Sequence, residues 1–210
     1  MICVSISSLQ EIGKLPAAAE LIELRLDLIG CDPGEIFPMI PARCKSIATC
    51  RPGSMQDATR LSWLKSAMNL GASLVDAELE SEEAYLEELR RHSSNQGVEL
   101  IVSYHHFKAT PDRDHLADKL QHCFDRGGDI AKIATQIHNR EDLLNLLSLY
   151  QLPGRKIILG MGPLGRISRI AAPYLGSEFT FASPGTGLET AAGQLDFHQL
   201  TEIYQVINQS

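Results

Sequence analysis

Eight short apolar segments recur along the chain at intervals of roughly 20 to 30 residues. Most are rich in isoleucine, valine and leucine, as expected of parallel strands covered on both faces. Each interval has room for one helix and two short loops. Eight strands alternating with helices predict an α/β fold, a (β/α)8 TIM barrel, rather than an open sheet. The predicted strands are 2–7, 21–27, 45–50, 73–79, 98–105, 129–135, 156–161 and 178–182.

The segments between these strands carry helix-start signals. Asn139 is predicted to open one helix, and Asp196 with Gln199 the last one. Ser81 and Thr110 are predicted to cap two earlier helices. No Pro/Gly/Ser-rich linker or low-complexity tract interrupts the pattern, so residues 1–210 are expected to form a single domain. The chain stops soon after the eighth helix, which leaves open that it was part of a longer fusion.

Composition restricts the function classes. Nineteen basic and 26 acidic residues give a net charge of −7, without a basic cluster, which argues against a nucleic-acid partner. No apolar run approaches the roughly 18 residues that a membrane span needs. The five cysteines are odd in number and widely spaced, and none forms Cys-x-x-Cys. They predict reduced thiols in a cytoplasmic protein.

One lysine stands inside a predicted buried strand. Lys132 lies between Ile130-Ala131 and Ile133-Ala134. Burying an ammonium group is costly, so such a lysine is neutralised, paired or used in chemistry. Two interpretations are open. Lys132 either lies near the strand end and reaches water, or serves as a reactive amine.

Polar residues mark the carboxyl ends of nearly all the predicted strands. In strand two, alternation places Glu23, Arg25 and Asp27 on one face and the apolar residues on the other. In a barrel, that charged row points inward near the end where active sites lie, although a solvated edge strand would show the same pattern. Further polar residues at strand ends are Thr49, Arg51, Asp76, Glu78, Ser103 and His105.

Two other patterns are weaker. Adjacent histidines, His105 and His106, face opposite sides of a strand and cannot grip one metal together, so no metal site is predicted. Gly160-x-Gly162-x-x-Gly165 matches the dinucleotide fingerprint, but that motif normally opens a fold instead of standing near its end. After strand seven of a barrel, these glycines could instead admit a phosphate or another anion.

Taken in order, seven motifs resemble the type I 3-dehydroquinate dehydratases of the shikimate pathway over essentially the whole chain. The motifs are Glu23-Leu-Arg25-Leu-Asp27, Thr49-Cys-Arg51, Asp76-Ala-Glu78, Ser103-Tyr-His105, Asp129-Ile-Ala-Lys132-Ile-Ala, Met161-Gly162 with Ser168-Arg169, and Thr190-Ala-Ala-Gly193-Gln194. The resemblance implies a small-molecule substrate, 3-dehydroquinate, which loses water to give 3-dehydroshikimate. It implies no metal and no organic cofactor, and it suggests a homodimer.

The resemblance also implies roles for individual residues. Lys132 would form a Schiff base with the substrate ketone, and His105 would remove and return the proton. Nearby positive charge would favour the neutral amine that attack requires. The implied substrate contacts are Ser5, Glu23, Arg25 and Arg51, with Arg169, Thr190 and Gln194 holding the carboxylate.

The sequence departs from the family pattern near His105. The family often places a histidine-orienting glutamate where this chain has Met55; Gln56, Asp57 and Glu78 are open as substitutes. His106 replaces a usual aspartate.

Two alternative functions are also open. One is another imine-forming barrel enzyme, such as a class I aldolase that binds a sugar phosphate at residues 160–165. The other is a catalytically impaired relative that only binds ligand.

Overall fold

The computed structural model describes residues 1–53 and 55–209. Within that part of the chain, nine parallel strands form one curled sheet in the order β7-β6-β5-β4-β3-β2-β1-β8-β9. The strands are β1 Ile2–Ile6, β2 Leu21–Arg25, β3 Lys45–Thr49, β4 Leu74–Glu78, β5 Glu99–His106, β6 Ile130–Gln136, β7 Lys156–Met161, β8 Thr180–Ser183 and β9 Leu195–Asp196. At the open side, Glu178 N–H donates to the Lys156 carbonyl at 3.0 Å, linking the segment before β8 to β7.

Helices connect successive strands from β1 to β8, and a further helix follows β9. They are α1 Leu9–Ile12, α2 Leu26–Ile29, α3 Pro33–Ile36, α4 Asp57–Asn69, α5 Glu83–Gln96, α6 Arg113–Asp125, α7 Arg140–Ser148, α8 Arg166–Leu175 and α9 Phe197–Asn208. Short 3-10 helices cover Phe37–Met39 and Leu149–Gln151. No helix in residues 1–53 or 55–209 is both long enough and apolar enough to cross a membrane.

The predicted strands all form, with boundaries that differ from the prediction by at most two residues. β9 was not predicted, because two residues are too few to show periodicity. Asn139 and Asp196 cap α7 and α9 as predicted. The Ser81 and Thr110 predictions were wrong: α5 begins after Glu82, and Asp112 caps α6 through the backbone N–H of His115.

The inside of the curled sheet has two chemically different layers. At the amino-terminal ends of the strands lies an apolar layer formed by Cys3, Leu21, Ile47, Leu74, Ile101, Ile130 and Ile157. Two residues further along each strand, the period of two returns the side chain to the same face. These next positions are polar on six strands: Ser5, Glu23, Thr49, Asp76, Ser103 and Lys132. The apolar layer therefore closes the bottom of a polar cavity.

The glycines after β7 serve close backbone packing. A Cβ at Gly160 would lie 2.8 Å from the Cα of Gly165, too close for any side chain. Gly162 has a φ of +81°, which favours glycine. The space between Gly160 and Gly165 is thus filled by the chain itself, which does not support the expectation that these glycines admit an anion.

Candidate active site

A cavity of about 350 Å³ opens at the carboxyl ends of the strands. All nine site residues predicted from the sequence line it: Ser5, Glu23, Arg25, Arg51, His105, Lys132, Arg169, Thr190 and Gln194. They come from β1, β2, β5 and β6, from the segments after β3 and β8, and from α8. The cavity has the location expected for the active site of a barrel enzyme.

Lys132 is the third residue of β6 and is 3 % exposed. Its Nζ lies 2.7 Å from Asp76 Oδ2 and 3.6 Å from Glu23 Oε1, and 4.4 Å from the centre of the Phe181 ring. The interpretation that this lysine reaches bulk water is therefore wrong. The contacts that hold its charge are carboxylates and an aromatic face.

Asp76 and Glu23 are themselves held by hydroxyl groups. Ser103 Oγ donates to Asp76 Oδ1 at 2.6 Å. Ser5 Oγ and Thr49 Oγ1 donate to the two oxygens of Glu23 at 2.8 and 3.0 Å. These bonds satisfy the carboxylate oxygens that Lys132 does not fully occupy, as buried polar groups require.

Burial and charge act in opposite directions on Glu23. Burial disfavours its ionised form, but the charges of Lys132, Arg25 and Arg51 outweigh burial and lower its pKa to about 2. Glu23 is consequently a carboxylate at neutral pH.

Arg25 is fixed by its neighbour in sequence. Its Nε and Nη2 donate to the two oxygens of Asp27 at 3.0 and 2.6 Å, a bidentate pair. The prediction that Asp27 continues the inward row of β2 was wrong, because β2 ends at Arg25 and the chain turns into α2. Asp27 instead orients Arg25, which lines the cavity.

Both ring nitrogens of His105 have partners. Arg51 Nη2 lies 2.7 Å from Nε2, and Glu78 Oε2 lies 2.9 Å from Nδ1. The His105 side chain is 4 % exposed. Burial, together with the positive charges of Arg51 and Lys132, lowers the pKa of His105 well below its usual value, so the ring is neutral at pH 7.

Arg169 is a buried cation with little compensation. It is 2 % exposed, its Nη1 reaches the Phe181 carbonyl at 3.5 Å, and its Nε has no hydrogen-bond partner among the described residues. Burial lowers its pKa to about 10, despite the attraction of Glu23. Such a guanidinium is suited to bind an anion that enters the cavity.

Gln194 connects the loop after β8 to the first strands. Its side-chain oxygen accepts from Thr190 N and Oγ1 at 2.8 and 3.2 Å. Its Nε2 donates to Ser5 Oγ at 3.3 Å. The loop thus closes over the cavity through side chains that also line it.

Sequence reasoning did not include Asp76, the nearest partner of Lys132, or Glu78, the acidic partner of His105, among the site residues. Asp76 and Glu78 alternate on the inward face of β4, and that spacing was the available signal for both. The apolar lining has no comparable signal, because aromatic and aliphatic residues are common throughout the chain. It includes Phe107, Leu159, Met161 and Phe181.

Comparison with known proteins decides the family. The sequence model of the family described as Type I 3-dehydroquinase matches residues 2–210. The chain belongs to this family. It is 36% identical over 213 residues to the 3-dehydroquinate dehydratase of Methanococcus maripaludis (strain C7), covering 98% of this chain and 95% of the relative.

Solved structures agree with the family assignment. The 3-dehydroquinate dehydratase from Aquifex aeolicus superposes with a TM-score of 0.85 at 27% identity, covering 100% of both chains. The S. pombe structure of dehydroquinate dehydratase and shikimate dehydrogenase superposes with a TM-score of 0.77 at 20% identity. The match covers 100% of this chain and 44% of the S. pombe chain. The predictions of the family and of the barrel fold are confirmed.

Proposed function

We propose that this type I 3-dehydroquinase converts 3-dehydroquinate to 3-dehydroshikimate in the shikimate pathway, through an imine on Lys132. The observation that carries the proposal is the juxtaposition of a buried lysine and a neutral histidine on adjacent strands. Lys132 pairs in register with Ser103, two residues before His105 on β5. Both side chains line the same cavity.

Imine formation begins with proton loss from Lys132, because an ammonium has no lone pair for attack. Asp76 Oδ2, at 2.7 Å, is placed to accept that proton. The amine adds to the C3 carbonyl carbon, and the carbonyl oxygen leaves as water. The resulting protonated imine withdraws electrons from C2 and makes its hydrogen acidic.

His105 then transfers the proton. Its neutral ring removes the C2 hydrogen as a general base. The C1–O bond breaks as the double bond forms, and His105 returns the proton to the departing hydroxyl, which leaves as water. Hydrolysis of the imine restores Lys132 and releases the product, so the net change is the loss of one water molecule.

The remaining lining residues bind the substrate. Arg169 has the unpaired donor that the substrate carboxylate needs, and Thr190 and Gln194 line the same cavity. Arg25 and Arg51 are placed to bind hydroxyl groups. Glu23 and Ser5 complete the polar lining.

Trapping the imine tests the proposal. The protein is incubated with 3-dehydroquinate, reduced with borohydride and mapped by mass spectrometry. We expect one adduct, on Lys132. Lys132→Ala should lose the adduct and turnover, whereas His105→Ala should keep the adduct and lose turnover by about 10²- to 10⁴-fold. An adduct at another residue, or none, refutes the mechanism.

A second lysine provides a matched control. Lys156 is also buried, at the start of β7, but it donates to the Leu152 carbonyl outside the cavity. Lys156→Ala should retain the Lys132 adduct. Aldol cleavage of a sugar phosphate without dehydration would instead support the class I aldolase alternative, and ligand binding without any adduct would support the impaired relative.

The remaining predictions concern the domain organisation, cellular location and oligomeric state of the enzyme. We propose that residues 1–210 act as one catalytic domain in the cytoplasm, with reduced cysteines, and assemble as a homodimer. Sedimentation equilibrium measures the assembly directly. A fusion of this domain to another shikimate-pathway domain stays a prediction for the parent chain; the S. pombe protein joins dehydroquinate dehydratase to shikimate dehydrogenase.

A further inference from the structure

We infer that Glu78 is the residue that positions His105 for proton transfer, in place of an acid in the loop after β3. The inference depends on the proposed function, because it takes His105 as the group that moves the proton. Glu78 ends β4, and its backbone pairs in register with Ser103 on the neighbouring strand β5.

The two hydrogen bonds of His105 determine which ring nitrogen carries the proton. The guanidinium of Arg51 can only donate, so Nε2, at 2.7 Å, must accept. In the neutral ring, Nδ1 then holds the proton and donates to Glu78 Oε2 at 2.9 Å. The electron pair that removes the C2 proton is therefore the one on Nε2, which becomes available when the substrate displaces the Arg51 donor, and Glu78 selects this tautomer.

The geometry places Glu78 as an acceptor. Its second oxygen, Oε1, lies 3.4 Å from Arg51 Nη1, so both oxygens face donors. Burial raises the pKa of Glu78, and the positive charge of Arg51 opposes that effect. When His105 takes the C2 proton and becomes an imidazolium, the adjacent carboxylate stabilises the new charge, as the acid of a catalytic triad does.

The other candidates have different partners. Met55 Sδ lies 3.8 Å from Cys50 Sγ. Gln56 is the residue before α4, and Asp57 is the first residue of that helix, where its carboxylate pairs with Arg60. Among the described residues, Glu78 is the acid that contacts the His105 ring.

The test compares three variants. Glu78→Ala removes the acceptor, Glu78→Gln keeps an acceptor oxygen without the charge, and Glu80→Ala serves as the matched control. Glu80 follows the same strand, but its side chain is 55 % exposed and its partner is Lys119 at 3.6 Å. Circular dichroism verifies folding. If Glu78→Ala does not fold, Glu78→Gln alone decides the result.

Three measurements separate positioning from a general structural effect. Borohydride trapping at Lys132 should succeed in all variants. In Glu78→Ala, kcat should fall about 10- to 100-fold with little change in KM, since part of the contribution of the base is lost. In Glu78→Gln, kcat should fall about 10-fold. With substrate deuterated at C2, the isotope effect on kcat should rise in both Glu78 variants, because proton removal becomes slower relative to the other steps.

The outcomes distinguish this inference from the proposed function. If the Lys132 adduct forms but folded Glu78 variants keep the kcat and isotope effect of Glu80→Ala, then Glu78 does not position His105 and the mechanism stands. If wild-type protein gives no adduct on Lys132, the proposed function fails first. A large rise in KM with an unchanged isotope effect would also overturn the inference, since it indicates lost substrate binding.

Discussion

Replacing Arg169 with methionine should stabilise the ligand-free protein. The buried guanidinium has a pKa of about 10, compared with an ordinary value of 12.5. Each pKa unit corresponds to about 1.4 kcal/mol, so its burial costs the folded state about 3 kcal/mol. Proton binding determines whether this cost is present at a given pH. At neutral pH, far below both values, the arginine is charged in the folded and the unfolded chain, and the whole cost is present.

The increase in the free energy of unfolding should be smaller than this burial cost. Methionine fills less volume than arginine, and the Phe181 carbonyl loses a weak donor at 3.5 Å. We therefore expect Arg169→Met to raise the free energy of unfolding by about 1–3 kcal/mol in urea denaturation, in the range seen when apolar residues replace buried charges. For a chain of this size, Tm rises by about 2–4 °C per kcal/mol.

Arg60→Met is the matched control. Arg60 is as buried as Arg169, at 1 % exposure, but it donates to the Cys50 carbonyl at 3.0 Å and pairs with Asp57. The same substitution should destabilise the protein there. If Arg169→Met lowers stability as much as Arg60→Met does, burial of Arg169 is compensated and the reasoning is wrong. Shikimate, which has the carboxylate but no ketone, should stabilise wild type and leave Arg169→Met unchanged.

Two further predictions concern titration and the last helix. Burial and the charges of Arg51 and Lys132 lower the pKa of His105. The NMR resonances of its ring, assigned by comparison with His105→Gln, should therefore stay at their neutral positions when the pH falls through 6.5. A titration of these resonances at pH 6.5 or above contradicts this prediction. Below pH 6.5 the unfolded chain then binds a proton that folded His105 does not, so stability should fall with pH, and less steeply in His105→Gln. Asp196→Ala should lower the free energy of unfolding by about 1 kcal/mol in urea, because the Asp196 side chain accepts from Gln199 N at 2.9 Å in a capping box; an unchanged midpoint contradicts a stabilising cap.

Strand periodicity predicted part of the candidate site, and the resemblance to the family implied the rest. On β2, alternation assigned Glu23 and Arg25 to the inner face, and both line the cavity. Parallel pairing places the carboxyl ends of neighbouring strands at the same end of the sheet. Residues far apart in the sequence therefore meet there, although no motif links one segment to the other. The same rule failed at Asp27, because it assumed that β2 continues beyond Arg25, where the chain turns into a helix.

The partner of His105 could not be predicted in this way. The sequence left three candidates for this role: Gln56, Asp57 and Glu78. The choice depends on the path of the loop after β3 and on where α4 begins, which turn residues alone do not determine. The helix starts at Asp57 and directs its carboxylate to Arg60, whereas Glu78 extends from a strand adjacent to β5.

The pairing of charges in the cavity predicts how a substrate lies there. Lys132 is balanced by Asp76, and Arg25 by Asp27, but Arg169 has no carboxylate within hydrogen-bond distance in the described chain. A ligand carboxylate therefore gains most at Arg169, which extends from α8 beside β8. Since Lys132 and His105 stand on β6 and β5, the proposed mechanism requires the ketone to point toward those strands. In that proposed orientation C2 lies toward His105, and we expect Arg169 to fix the end of the ring that carries the carboxylate.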